Sequence, residues 1–383
     1  MSPAPIRILT YSTKPRGGVV HALSLSEALA DRGHEVELWA LAIDGAGFFR
    51  DSDVETRLVP VARREQEDVE DRILRYADAL AGGLREAGPE AIHHSEDCLS
   101  ARSLLLLRRE GWEGEFVRTV HHVDEFASPV LADCQRASIL EPEHLVCVSR
   151  HWQDRLAEEF RVRATLIPNG IDAARFAGAG ASRGSARDAF GWSDRRIVLA
   201  VGGIEPRKGS RTLLAAFARL HRSDPALLLA IAGGETLFDY ADYRAGWEED
   251  LRASGLPGDA VTILGRIDDD AMPGMYRGAD VLAMPSEREG FGLVALEAMA
   301  AGTPVVLSDI DVFRENFEDG RDCLMAGVGD PVALASALGR ALGDDGLRRR
   351  LIAGGRETVG RYSWDAAAEA HEHLYEGVHV DGR

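Results

Sequence analysis

The sequence predicts an α/β protein of two units, each built on a parallel sheet. Two observations carry this expectation. Short apolar runs rich in β-branched residues alternate with longer stretches of helical spacing from residue 6 onward. The rhythm then breaks near residues 170–190 and restarts. A length of 383 residues is long for one core and comfortable for two, and an apolar share of 45% can fill both.

In chain order, "IRILTYS" reads as a strand, Gly17-Gly18 as a turn, "VVHALSLSEALADRGH" as a helix and "EVELWALA" as the next strand. "AIHHS" and "FVRTVHHVD" are strands flanking the helical "CLSARSLLLLRREG", and "HLVCVS" feeds the helix "RHWQDRLAEEF". "RATLIPNGIDAARFAGAGASRGSARDAFG" has little apolar period and reads as turn and linker. Beyond it come the strands "RRIVLAVGG", "ALLLAIAGG", "AVTILGRI", "ADVLAMPS" and "TPVVLSD", and a helical tail, "YSWDAAAEAHEHLYEGV".

Forty-four basic against 63 acidic residues give a net charge of −19. That argues against a general nucleic-acid binder, which needs a basic stripe to displace counterions. It also disfavours adhesion of the whole surface to an anionic membrane, although a local basic patch could still touch one. The four cysteines, Cys98, Cys134, Cys147 and Cys323, form no CxxC pair and read as small buried residues of a reducing compartment. "MSPAPIRILTYSTKPRGG" is too weakly apolar for a signal peptide, and no run approaches a membrane span, so the expected location is cytoplasmic.

Gly17-Gly18 lies between a strand and its helix, where backbone can approach a ligand and a helix start favours an anion. The stretch is neither GxGxxG nor a P-loop, and the second strand ends without an acid to hold a ribose, which weakens a dehydrogenase reading. A plain tight turn is an equal reading. In "AVGGIEPRKGSRTLL", Arg207 and Lys208 precede Gly209 and a helix at the carboxyl end of a strand, which suits phosphate; the alternative is a solvated basic turn.

"EGFGLVALEAMAAGTPVV" places Glu289 at the mouth of a helix beginning near Gly292, with Glu297 further along it. Free amides from Phe291 to Val294 would face an anion. Two acids flanking an anion make sense if they grip neutral hydroxyls on either side of it, and a nucleotide-sugar offers sugar, diphosphate and ribose in that order. Two solvated surface glutamates would explain Glu297 but not the glycines around Phe291. His93-His94 and His121-His122 close two strands. No metal-ligand spacing surrounds them, and one of them could donate to a substrate oxygen.

These residues resemble the family 4 retaining glycosyltransferases of the GT-B fold along nearly the whole chain. "EGFGLVALE" is similar to the family's E-x7-E signature, "IPNGIDAARF" to its interdomain stretch, "LGRIDDDAMPGMYRGADVLAMPSEREGFG" to its run into the donor site, and "YSWDAAAEAHEHLY" to its last helix. The opening "TYSTKPRGGVVHALSLSEAL" is similar to a bacterial subgroup of it.

The resemblance implies two Rossmann-like domains facing each other across a cleft. Residues 1–172, joined by a C-terminal helix at 364–383, would form the acceptor-side domain, and 173–363 the donor domain. It implies that Glu289 binds donor-sugar hydroxyls, Glu297 the ribose and Lys208 the diphosphate. Gly290, the backbone of Phe291, Gly292 and Leu293, and Arg266 would complete the donor site. Gly17 and Gly18 would form a phosphate-facing loop, and His121 would lie near the reacting sugar.

Where the family carries an arginine on the diphosphate, this chain has Gly203, and Arg207 is the candidate replacement. The expected activity is sugar transfer from a UDP- or GDP-sugar to a small, glycan or lipid-linked acceptor, with retention and without metal or cofactor. Catalytic roles fall to His121, Glu289 and Lys208. A non-catalytic nucleotide-sugar sensor is the alternative. The acceptor-side loops, including "DGAGFFR", carry no readable code.

Overall fold

The computed structural model describes residues 4–126, 128–178, 182–233 and 240–380. Contacts divide the chain into one unit of Met1–Gly170 with Trp364–Arg383, and another of Ile171–Ser363. The first three residues, part of the expected linker (179–181) and the second glycine of "ALLLAIAGG" (Gly234) lie outside the described residues.

The first unit runs β1 (Ile6–Leu9), α1 (Gly17–Asp31), β2 (Val36–Ile43), β3 (Glu55–Val61), α2 (Val69–Ala87), β4 (Ile92–Ser95), α3 (Cys98–Arg109), β5 (Phe116–Val120), α4 (Pro129–Leu140), β6 (His144–Cys147), α5 (Arg150–Arg155) and β7 (Thr165–Leu166). Its sheet has the order β3-β2-β1-β4-β5-β6-β7, and its pairings are parallel. Chain order reverses between β1 and β4, so the turns after these two strands meet at a switch point, where open parallel sheets bind ligands.

The expected strands and helices are present in this unit, with three refinements. The strand within "FVRTVHHVD" stops at Val120, which leaves His121 at the carboxyl edge. The helix "RHWQDRLAEEF" finishes as a π turn over Leu156–Phe160. β3 and α2 lie outside the expected pattern. β3 is an edge strand, and its Pro60 is tolerated because edges need no second set of ladder bonds.

In the loop "DGAGFFR", Phe48 and Phe49 pack against the first unit's core, and Arg50 makes two hydrogen bonds to Glu27, at 2.5 and 2.6 Å. These three residues anchor the loop rather than offering themselves to a ligand. Cys134, Cys147 and Cys323 are buried as expected, Cys98 is half-buried, and all four are free thiols.

The second unit runs α6 (Ala173–Ala177), α7 (Arg183–Ala189), β8 (Arg196–Val201), α8 (Ser210–His221), β9 (Leu227–Ala232), α9 (Ala241–Ala253), β10 (Val261–Gly265), α10 (Met272–Gly278), β11 (Val281–Met284), α11 (Leu293–Ala300), β12 (Val305–Ser308), α12 (Asp311–Asn316), β13 (Leu324–Ala326), α13 (Pro331–Gly343) and α14 (Asp345–Val359). The parallel sheet has the order β10-β9-β8-β11-β12-β13, with its switch point between β8 and β11.

The stretch expected to be linker is partly helical: it holds α6 and α7, capped by the side chains of Asp172 and Ser182. Ion pairs from Arg183 and Arg187 to Asp280, at 2.7 and 3.1 Å, fix α7 to the unit. Capping and charge hold these two short helices, so no apolar stripe announces them.

The last helix, α15 (Trp364–Tyr375), belongs to the first unit and packs on α1. Ala367 and Ala368 are buried, and Arg32 pairs with Asp365 and Glu372 at 2.7 and 2.8 Å. The Tyr375 hydroxyl lies 2.7 Å from His94 Nδ1. Among the described residues no helix is long and apolar enough to cross a membrane.

Candidate active site

The second unit gathers most of the expected donor residues at its switch point. After β8 the chain turns through Gly202 and Gly203, both at positive φ (120° and 78°), and both amides bond Ala232 O. A Cβ on Gly202 would come within 2.8 Å of Lys208 Cε, so the lysine stem lies across a backbone that only glycine leaves clear. A 3₁₀ turn, Pro206–Lys208, then ends at Gly209 (φ 63°), which caps α8. A Cβ there would sit 2.1 Å from Pro285 O. The amides of Glu287 and Arg288 bond back to Arg207 O. This glycine contact and these bonds clamp the turn after β8 to the loop after β11.

The clamp brings Lys208 onto Glu289: Lys208 Nζ donates to Glu289 Oε1. Ser286 Oγ donates to the same oxygen at 3.1 Å. Arg207 stands 3.3 Å from Glu205 and 3.6 Å from Glu289, so it faces the acids rather than bulk solvent. Burial would raise the Glu289 carboxyl, but Lys208 and Arg207 outweigh it and bring it down to about 2. Burial lowers Lys208, and Glu289 opposes that by favouring the ammonium.

α11 begins after Gly292, which sits at φ 107° with no side-chain cap and no acid in the first turn. Its starting amides are therefore open to an anion. The Phe291 ring is buried edge-on against Tyr362, and Asn316 donates to Phe291 O at 3.1 Å. Phe291 thus offers backbone alone. A Cβ on Gly292 would press on Phe313 and Phe317 at 3.1 and 3.3 Å, which explains the glycine beside the aromatic. Gly290 and Leu293 flank this start, half-buried.

Glu297, further along α11, accepts a 2.6 Å hydrogen bond from the Tyr276 hydroxyl. Burial raises its carboxyl to about 7, with Tyr276 and the Arg175 charge offsetting part of the effect. Arg175 itself pairs with Asp269 at 2.7 Å. Arg266, by contrast, is exposed just after β10 and has no ion-pair partner among the described residues; no contact joins it to Lys208 or Glu289. Tyr276, Arg175, Glu205 and Ser286 are site neighbours that spacing did not disclose. Ser286 stands three residues before Glu289, a cue that could have been used.

In the first unit, α1 opens at Gly17 with neither a side-chain cap nor an acid in its first turn. A Cβ on Gly18 would lie 3.4 Å from the His121 ring, whereas Gly17 is open. The four strand-end histidines diverge. His93 is buried edge-on against Trp112, and burial holds it down to about 3. His94 bonds Tyr375 and Thr119. His122 pairs with Asp124 at 3.1 Å.

His121 joins a cluster. Its Nε2 is 2.9 Å from Glu96 Oε2, and His21 Nδ1 is 3.0 Å from the same oxygen. One ligand atom from each of His21, Glu96 and His121 falls within 4.8 Å of the others, a donor set that could hold a metal ion. Spacing gave no sign of this, since the three residues come from α1, the turn after β4 and the turn after β5.

Two parallel-sheet units are the architecture of the GT-B glycosyltransferases, and the comparisons with known proteins show that class. The Glycosyltransferase Family 4 domain matches residues 15–175 and the Glycosyl transferases group 1 domain residues 183–358. The chain belongs to the family 4 glycosyltransferases of the GT-B fold.

It is 33% identical to the phosphatidyl-myo-inositol mannosyltransferase of Mycolicibacterium smegmatis, over 97% of this chain and 93% of that one. It is 30% identical to the D-inositol 3-phosphate glycosyltransferase of Salinispora tropica, over 95% and 83%. Among solved structures, a sucrose-phosphate synthase from Thermosynechococcus elongatus superposes with a TM-score of 0.80 at 26% identity, covering 98% of each chain.

The state of Glu297 gives a test. Its raised pKa means that the unfolded chain ionises first, so stability from this group is lost as pH climbs from about 4.5 to about 7. The Tyr276 hydroxyl favours the anion. Tyr276→Phe should therefore push the Glu297 pKa further above 7, read from its carboxyl carbon by NMR titration. A pKa unchanged or lowered in the variant would refute the assigned hydrogen bond.

Proposed function

We propose that the chain transfers a hexosyl group from a nucleoside-diphosphate sugar, UDP- or GDP-linked, to an inositol-bearing acceptor that carries phosphate. The observation that carries the donor half is the Lys208–Glu289 pair beside the open start of α11. Lys208, Arg207 and the α11 amides would meet the diphosphate, and this preorganised charge would stabilise it as it leaves. Glu289 would accept sugar hydroxyls and Glu297 the ribose hydroxyls.

No metal is needed at the diphosphate in this reading, because cations and amides already face it. Retention of configuration rests on the family resemblance. The acceptor class rests on the two relatives, both named for inositol-bearing substrates. Placement in the cytoplasm rests on the four free thiols.

The direct test is turnover in excess chelator, with UDP- and GDP-hexoses against inositol phosphate and phosphatidylinositol. Transfer to one of these acceptors is expected. Transfer only to unrelated acceptors would refute the acceptor class, and loss of all activity in chelator the metal-free reading.

Two variants separate the acids. Glu297→Ala should weaken binding of both free nucleoside diphosphate and intact donor. Glu289→Ala should spare the free diphosphate, which itself becomes the counter-ion of Lys208, and weaken only the sugar-bearing form. Equal losses on the free diphosphate in calorimetry would sink the division of labour.

Arg207 is the proposed replacement for the arginine absent at Gly203. Arg207→Ala should remove a charge-assisted hydrogen bond of roughly 1.5–3 kcal/mol, on the order of a ten- to hundredfold loss in donor kinetics. Lys208→Ala, the control, should be severe. Unchanged donor kinetics for Arg207→Ala beside a crippled Lys208→Ala would leave the lysine and the amides as the whole clamp.

A further inference from the structure

Three elements of the first unit place metal-binding atoms around one buried point. His21 comes from α1, Glu96 from the turn after β4 and His121 from the turn after β5. His21 Nδ1 stands 3.0 Å from Glu96 Oε2, and His121 Nε2 stands 2.9 Å from the same oxygen. One donor atom from each residue falls within 4.8 Å of the others.

Hydrogen bonding leaves this cluster incomplete. His121 Nε2 is bonded to Glu96. His21 Nδ1, in spite of its close approach, has no hydrogen-bond partner among the described residues, and neither has Glu96 Oε1. His94 Nε2 lies 3.6 Å from that oxygen but is engaged by the Thr119 hydroxyl at 2.6 Å. A further buried nitrogen without a partner, His371 Nε2, belongs to a ring whose centroid is 6.2 Å from that of His21. Buried polar atoms are seldom left so, and orphans gathered at one place mark a missing ion or water.

Charge points the same way. The Glu96 side chain is fully buried, and its ion-pair partners among the described residues are imidazoles, with no lysine or arginine among them. A buried carboxylate without a fixed cation is costly. A divalent ion would supply that charge and would give His21 Nδ1 the partner it lacks.

We propose that His21, Glu96 and His121 form a zinc site that ties α1 to the carboxyl edge of the first sheet. Two imidazole nitrogens and one carboxylate oxygen suit zinc, which takes such ligands at about 2.0–2.2 Å, whereas calcium and magnesium favour oxygen alone. Ligand atoms of a tetrahedral zinc stand about 3.3 Å apart, so a small outward rotation of the two rings makes room for the ion. Three protein ligands leave a fourth position for water. His121, with 15% of its side chain exposed against 1% and 0% for His21 and Glu96, gives solvent its way in. Such a site departs from the expectation of no metal at these histidines, because the fold gathers its ligands and sequence spacing does not. It lies wholly within the first unit and is independent of Lys208, Glu289 and the α11 amides.

The full chain, freed of metal by dialysis against chelator, is titrated with zinc chloride alone. One zinc per chain is expected by elemental analysis after desalting, with a rise in Tm of about 5 °C at a hundredfold excess over Kd. Cobalt(II) in place of zinc should show the visible absorption of a four-coordinate ion. His21→Ala and Glu96→Gln should each weaken zinc binding on the order of 10²-fold or more. His144→Ala, which removes a half-buried imidazole paired with Glu115, should leave it unchanged.

A wild-type chain that takes up no stoichiometric zinc and shows no rise in Tm would overturn the site, and that result needs no variant to fold. Zinc held with wild-type affinity by a folded His21→Ala chain would overturn it too, leaving adventitious surface binding only. If chelator abolishes transfer while one zinc per chain stays bound, the metal-free reading of the diphosphate fails and the zinc site stands. If transfer persists in chelator and the wild-type chain binds no zinc, the zinc site alone fails.

Discussion

A lysine and a glutamate are both sunk at the carboxyl edge of the second sheet, and neither could be buried there alone. Burial drives Lys208 toward the neutral amine and Glu289 toward the neutral acid, and each opposes the other's loss of charge. Much of the local backbone serves to keep the two together. Gly202 clears the path for the lysine stem, and the close approach of Gly209 to Pro285 O brings the two loops side by side. The amides of Glu287 and Arg288 then tie the glutamate's loop to the lysine's turn. The outcome is a fixed ammonium and a fixed carboxylate beside an uncapped helix start, a site charged before any ligand arrives.

The first unit applies the same geometric rule with different chemistry. Its switch point also lies beside its first strand, and again a helix opens on glycine without a cap. The buried charge here is a carboxylate without a lysine. Histidines surround Glu96, and burial pulls His94, His121 and His371 toward their neutral forms. The last helix, α15, packs on this cluster through Tyr375 on His94 and through Trp364 against His21. The end of the chain thereby contributes to the polar core of its beginning.

Much of the fold was legible because parallel strands buried on both faces write themselves as apolar runs, and their crossover helices as periodic ones. What escaped notice was held by other forces. β3 is an edge strand whose first four residues are all exposed, and α6 and α7 are short helices secured by caps and by arginines on Asp280. Legibility of the site followed the same division. Glu289, Lys208, Gly292 and Glu297 lie in contiguous motifs, whereas Glu96, His21 and Tyr276 are remote in sequence from the groups they serve. Arg266 shows the reverse: a motif position that makes no ion pair with its expected companions among the described residues.

The sequence by itself determined the class of fold, the chain's place among the family 4 glycosyltransferases and the residue types offered to a donor, because local period and contiguous motifs do not depend on folding. Only the tertiary structure decided which charges meet and how far burial shifts each of them. A carboxyl near 2 at Glu289 and another near 7 at Glu297 differ by their partners, one beside two cations and the other bonded to a phenol. Eight residues apart on one segment and both buried, they differ through the partners that other parts of the chain supply.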